Sequence, residues 1–136
     1  MRAPAWVIPL LVVVFSAGGV AGSRLLVAPS LVREYAAAGA PDGAAALRTS
    51  VLVVKGVKCV DTAERAARQL DGLAGVRRLE AFASRARLEI TFDPTLVDAA
   101  TLREALEAPV HEPATGEYLF GLYEVIEMDG VKMEPE

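Results

Sequence analysis

Cysteine and histidine are nearly absent from this sequence of 136 residues, which contains one of each, Cys59 and His111. A single cysteine excludes a disulfide bond within the chain, so cysteine usage does not reveal the redox compartment. The same scarcity limits a metal site that the chain builds by itself to one thiolate and one imidazole among its ligands.

The sequence also lacks a large excess of either charge. It has 14 basic and 18 acidic residues, a formal net charge of -4, and therefore no electrostatic footprint of a nucleic-acid-binding protein. A Ser/His/Asp set, paired carboxylates at a cleft, a Walker loop and a Rossmann glycine pattern are all missing. We therefore expect neither a nucleic-acid partner nor an enzyme.

The most prominent feature that is present is an uncharged apolar run at residues 3–23. As a helix with a rise of 1.5 Å per residue, this run would span roughly 30 Å, the thickness of the hydrocarbon core of a bilayer. A short basic start and small residues before a cleavage point after Ala21 also fit a secretory signal. Residues 1–24 are thus predicted to be a transmembrane anchor or a signal peptide.

The orientation in the membrane is not decided by charge, because Arg2 lies on one side of the run and Arg24 and Arg33 lie on the other. The very short N-terminal tail resembles the start of a signal sequence more than a translocated segment. We therefore expect a membrane-anchored protein whose C-terminal domain is exported to a periplasmic or extracytoplasmic compartment.

The remaining chain divides by composition into three parts. Residues 25–48 are rich in Ala, Gly and Pro and are interpreted as a tether. Residues 49–114 are predicted to form the globular domain, and residues 115–136 an extra strand and an acidic tail.

Periodicity in the globular part predicts alternating strands and helices. In chain order these are a strand at 51–56, a helix capped by Asp61, strands at 76–83 and 87–92, a helix between Asp98 and Pro109, a strand from Val110 and a strand at 118–126. This order predicts an α+β protein with a ferredoxin-like βαββαβ fold and an extra C-terminal strand, in which both helices cover one face of an antiparallel sheet.

Several landmarks of this domain resemble a known family. The stretch "VKGVKCVDT" at 54–62 is followed by Gly75-Val76, by Asp93-Pro94 and by the helix "LREAL" at 102–106. These features, over residues 49–113, are similar to the heavy-metal-associated domains of copper chaperones, metal-pumping ATPases and periplasmic mercury-binding proteins.

The resemblance implies a site for a soft metal ion, Cu(I) or Hg(II) ahead of Zn(II), in which Cys59 is the thiolate ligand. The family pattern is Gly-Met-x-Cys-x-x-Cys, but here Val57 replaces the methionine and Thr62 replaces the second cysteine. The binding loop of Gly56, Val57 and Thr62 is therefore a degenerate Cys-x-x-Thr version of the family's loop.

One thiolate and one hydroxyl do not reproduce the pair of sulfur ligands that soft ions favour, so a second ligand must come from elsewhere. His111 is one candidate, because the loops before the first helix and after the second lie at the same end of a ferredoxin-like sheet. A thiol of a metal-transporting membrane protein, or Cys59 of a second copy, is another.

The predicted function is the binding or handover of a soft metal ion by a membrane-targeted domain through a single thiol. If Cys59 instead packs as a small apolar residue, the alternative is a membrane-attached interaction module of the same fold that does not bind metal.

Overall fold

The computed structural model describes residues 27–36 and 46–134, which form eight strands, two helices and one 3₁₀ turn. The strands are β1 (Leu31–Glu34), β2 (Arg48–Lys55), β3 (Val76–Phe82), β4 (Arg87–Phe92), β5 (Val110–His111), β6 (Tyr118–Leu119), β7 (Glu124–Met128) and β8 (Val131–Lys132); the helices are α1 (Val60–Gln69) and α2 (Ala99–Glu107), and the 3₁₀ turn is Ala83–Arg85. The expected membrane anchor or signal at residues 1–24 lies outside the described residues. Within those residues, neither helix has the length and apolar character needed to cross a membrane.

Six of the strands form one antiparallel sheet in the order β1-β3-β4-β2-β7-β8. Its four inner strands, together with α1 and α2, follow the chain order β2-α1-β3-β4-α2-β7. This arrangement confirms the predicted α+β class with an antiparallel sheet and two helices, and its connectivity is that of the ferredoxin-like unit.

The core lies between the sheet and the two helices. Along β4, Leu88, Ile90 and Phe92 are buried, whereas the side chains between them are partly exposed. The two-residue period of a strand explains this alternation, because successive side chains point to opposite faces of the sheet. One face is therefore apolar and carries the helices, and the other is polar.

The two helices cover that apolar face with different side chains. On α1 the buried residues include Ala63, Ala66 and Ala67, whose small side chains occupy little space between helix and sheet. On α2 they are Leu102 and Leu106. The spacing of three and four residues in both sets is what places each set on one face of its helix.

The predicted cap residue is confirmed for one helix and wrong for the other. Asp98 caps α2 as expected, since its carboxylate accepts a hydrogen bond of 2.7 Å from the amide of Thr101. The predicted cap of α1 at Asp61 is wrong, because the cap residue is Cys59. Thr62 completes a reciprocal capping box with Cys59. Asp61 lies in the first turn, where its negative charge interacts favourably with the positive end of the helix dipole.

The segment expected to be a tether differs from that expectation at Leu31–Glu34, which form the edge strand β1. β1 pairs with β3, and Arg33 donates hydrogen bonds of 2.7 and 2.8 Å to the carboxylate oxygens of Asp71. The Tyr35 hydroxyl also donates to the carbonyl of Ala67 at 2.7 Å. All these partners are distant in sequence, so the local composition did not indicate this strand.

The C-terminal part also differs from the prediction. Val110–His111 does not enter the main sheet but pairs with Tyr118–Leu119 in a separate two-stranded sheet. The predicted single strand at 118–126 is wrong, because the chain leaves β6 through Gly121, which has a φ of +64°. Glu124–Met128 then pairs with β2 as the fourth inner strand, so the extra strand is β8 and a boundary at residue 114 would divide the sheet.

The docking of β1 can be tested with Tyr35→Phe. This change removes the hydrogen bond to Ala67, and we expect it to lower the free energy of unfolding by about 1 kcal/mol in urea denaturation. The matched control is Tyr118→Phe, because the Tyr118 side chain is exposed and its expected effect lies within about 0.5 kcal/mol. Equal losses in the two variants would contradict the docking of β1 against α1.

Candidate functional site

The loop between β2 and α1 presents Cys59 to solvent. Gly56 begins this loop with a φ of +103°, and a Cβ atom at this position would lie 2.0 Å from the carbonyl oxygen of Leu122. Only glycine therefore fits the close approach of the two backbone segments. Val57 is buried in the core, so Gly56 and Val57 shape and anchor the loop that places Cys59 at the start of α1.

Thr62, which stands where the family has its second cysteine, holds the loop together through its hydroxyl. Its Oγ1 accepts hydrogen bonds from the amides of Lys58 at 2.8 Å and Cys59 at 2.9 Å. It also donates to the carbonyl of Cys59 at 2.9 Å. The two amide bonds use both lone pairs of the hydroxyl oxygen and leave none for a metal ion, whereas its single proton is within reach of both the Cys59 carbonyl and the Cys59 sulfur.

The Cys59 thiol lies in an environment that favours its negative form. Its Sγ is 3.5 Å from the hydroxyl oxygen of Thr62. A hydrogen bond with the side chain of Thr62 is the main cause that lowers the pKa of the Cys59 thiol, and a hydrogen bond with the Thr62 backbone is the second. Burial and the charge of Asp61 act in the opposite direction. The thiolate is the form of cysteine that reacts and binds metal ions, and the start of a helix is a position that favours it.

Tyr123 is a residue of this site that sequence reasoning missed. It is buried, and its hydroxyl donates a hydrogen bond of 2.7 Å to the carbonyl of Thr62 in the first turn of α1. Burial raises the pKa of Tyr123, so its hydroxyl remains a donor at neutral pH. Tyr123 and Thr62 are 61 positions apart in sequence, so the sequence indicated only an aromatic residue in a predicted strand and not this hydrogen bond.

His111 has different neighbours from Cys59. It is exposed on β5, its ring meets the ring of Tyr118 edge to face at 5.1 Å, and it lines a cavity with Arg65 and Arg68. Arg65 already lies about 9 Å along the helix axis from Cys59. A metal ion shared by a cysteine and a histidine would require their sulfur and nitrogen atoms within about 4.4 Å of each other. The neighbours of His111 are Tyr118 and the later turns of α1, and Cys59 is not among the residues that line its cavity.

A wider set of ligands is also missing from the described ranges, in which no three His, Cys, Asp or Glu side chains are grouped so as to hold a metal ion. What this loop offers a metal ion is therefore one exposed sulfur, because the threonine beside it is committed to the backbone.

Comparison with known proteins gives one likeness. The sequence matches no protein-family model and no curated protein. Its structure is similar to that of oxidized MerP from Ralstonia metallidurans CH34, with 20% sequence identity and a TM-score of 0.43, over 60% of this chain and 100% of MerP. A likeness of this size does not establish a family, and the fold assignment rests on the sheet order of the chain itself.

The lowered pKa of Cys59 can be measured from the pH dependence of its alkylation by iodoacetamide. We expect a midpoint below the ordinary cysteine value of about 8.5, because the thiolate is the reacting form. Thr62→Val removes the hydroxyl and should move the midpoint to higher pH, whereas Thr62→Ser keeps the hydroxyl and should not. A midpoint that is the same in Thr62→Val and in the unchanged chain would show that the hydroxyl has no influence on the thiol.

The close approach at Gly56 can be tested by comparing two glycines with similar backbone angles. Gly56→Ala should lower the free energy of unfolding by about 3 kcal/mol, since it adds a clash with Leu122 to the cost of a positive φ. At Gly72, with a φ of +88° and nothing within 4 Å of the added Cβ, the cost should be about 1 kcal/mol. Similar losses in the two variants would rule out the Leu122 contact as the reason for Gly56.

Proposed function

We propose that this protein is a membrane-targeted binding protein, not an enzyme, which uses Cys59 as one ligand for a soft metal ion of the Cu(I) or Hg(II) type. The observation that carries the proposal is an exposed thiol at the start of α1 whose pKa is lowered by the groups around it. A thiolate is the ligand that soft ions favour. The βαββαβ connectivity and the landmarks of the loop agree with a domain of the heavy-metal-associated type.

The second ligand in this proposal comes from another molecule. Thr62 is occupied by backbone groups, and His111 lies beside later turns of α1. Because Cys59 is exposed, a thiol of a metal-transporting membrane protein, or Cys59 of a second copy, has access to the same ion. Such an ion is held between two molecules, which suits transfer from one to the other.

Zn(II) fits this proposal less well than Cu(I) or Hg(II). Structural zinc sites use four ligands in a tetrahedral arrangement, whereas soft ions accept two sulfur ligands. Residues 3–23 would bring two chains together in the plane of one membrane, with the domain on the exported side. The proximity of neighbouring copies would then favour a shared pair of Cys59 thiolates.

The test is a titration of the reduced 136-residue chain with Hg(II) and with Cu(I), each followed by thiolate-to-metal absorption. We expect uptake to saturate at one ion for two chains and to strengthen with protein concentration. Cys59→Ser should lose this uptake, whereas Thr62→Ser should retain it and serves as the matched control. Equal and negligible uptake by the unchanged chain and Cys59→Ser would end the metal proposal.

His111→Ala distinguishes an external second ligand from an internal one. If the second ligand comes from another molecule, this variant should bind the ion as tightly as the unchanged chain at the same protein concentration. A loss of affinity of about tenfold or more would instead show that His111 completes the site.

A second candidate function is a protein-interaction module without metal, and the aromatic side chains of one segment favour it. Tyr118, on β6, is 62% exposed, and Phe120, directly after β6, is 76% exposed. Aromatic residues are enriched at protein interfaces. If Cys59 takes up no metal ion, this surface becomes the leading candidate for the function of the domain.

A further inference from the structure

A cavity of about 460 Å³ lies on α1, beyond its first turn, where the chain that follows α2 crosses it. Its lining consists of Arg65, Arg68, Gln69, Val110, His111, Glu112 and Pro113. The Gln69 side chain donates to the carbonyl of Ala108 at 2.9 Å, which fixes the crossing chain against the helix. Neither Cys59 nor Thr62 lines this cavity, so it is separate from the thiol site.

The two arginines of the cavity are only loosely paired. Their positions three residues apart place them on the same face of α1. Arg65 lies 3.6 Å from a carboxylate oxygen of Glu112, and Arg68 lies 3.6 Å from one of Glu64. Both distances exceed the usual range of a hydrogen bond. Within the described part of the chain, neither guanidinium donates a hydrogen bond to a protein acceptor.

Two other arginines of the domain, Arg33 and Arg103, behave differently. Arg33 donates two short hydrogen bonds to Asp71, and Arg103 donates to both carboxylate oxygens of Glu107. Those guanidiniums hold elements of the fold together. The donors of Arg65 and Arg68 remain available to a ligand on the surface of the cavity.

Among the residues that line the cavity, the balance of charge is positive, although the chain as a whole is negative. Two guanidiniums face one lining carboxylate, that of Glu112, and the Glu64 carboxylate near Arg68 does not line the cavity. The partial negative charge at the C-terminal end of α1 acts against an anion, but it is weak and is confined to the last turn. The full charge of each arginine exceeds this partial charge of about half a unit.

We propose that this cavity binds the phosphate group of a small soluble molecule, with Arg65 and Arg68 as the principal donors and His111 at the side. A phosphate group carries a charge of about -1.5 to -2 at neutral pH and offers three oxygen atoms, which matches two guanidiniums and an imidazole better than a carboxylate does. The cavity is larger than a phosphate group, and Val110 and Pro113 provide apolar contacts for the body of the ligand.

The probe is phenyl phosphate, compared with benzoate, which has the same ring and a carboxylate. The 136-residue chain in a nonionic detergent is titrated at constant ionic strength, and the NMR signals of the arginine Nε–H groups and the His111 ring are followed. Saturable shifts are expected at Arg65, Arg68 and His111, with phenyl phosphate binding more tightly than benzoate.

Variants connect the binding to the cavity. Arg65→Gln and Arg68→Gln should each weaken the binding of phenyl phosphate by about tenfold, the effect of losing one charged hydrogen-bond donor. Arg48→Gln is the matched control, because Arg48 lies on β2, is exposed and has only a 3.8 Å contact with Asp129. Its affinity should equal that of the unchanged chain. The backbone amide spectrum of each variant verifies that the fold is intact.

Shifts that increase linearly at all arginines, or equal affinities of Arg65→Gln and Arg48→Gln, would overturn the proposed site. Equal binding of benzoate would overturn its assignment to phosphate. Cys59→Ser should bind phenyl phosphate normally, so failure of this proposal and failure of the metal proposal are separate results.

Discussion

Burial of only one face of the central strands is the constraint on which the rest of this structure depends. Leu52 and Leu88 are fully buried opposite each other on β2 and β4, whereas Thr49 and Thr91 form a 3.0 Å hydrogen bond on the other face. Both helices must therefore lie on the apolar side. Since α1 directly follows β2, its first turn is held at the end of that strand, and this position leaves Cys59 in solvent.

At that position the chain favours local order over a second metal ligand. A threonine oxygen accepts amide hydrogen bonds better than a cysteine sulfur does, and Thr62 uses this capacity to cap the loop. Two further contacts hold the same loop: Tyr123 donates to the carbonyl of Thr62, and Gly56 packs closely against the backbone of Leu122. A loop held in this way keeps its thiol in a defined place without any metal ion. Under the proposed function, a metal ion bound here takes its remaining ligand from another molecule.

α1 carries two proposed sites with different chemistry. Its first turn presents a soft sulfur, and its later turns present two guanidiniums, which prefer oxygen anions. The cavity of the second proposed site forms where the chain after α2 meets the helix, with Gln69 bonded to Ala108. β5, which the sequence placed in the main sheet, pairs instead with β6, and His111 on β5 lies beside the two arginines.

The sequence by itself determined the class of fold, the inner strands β2, β3 and β4, both helices and the position of Cys59 after a glycine turn. These features follow from periods of two and of about 3.6 residues and from caps, which depend on neighbours within a few positions. Tertiary structure alone decided that β1 joins the sheet, that β7 replaces β5 as its fourth inner strand and that Tyr123 bonds to Thr62. It also decided that the Cys59 thiol is exposed and that His111 lines a cavity with Arg65 and Arg68. Each of these depends on hydrogen bonds and packing between segments distant in the chain, and such contacts leave no local pattern.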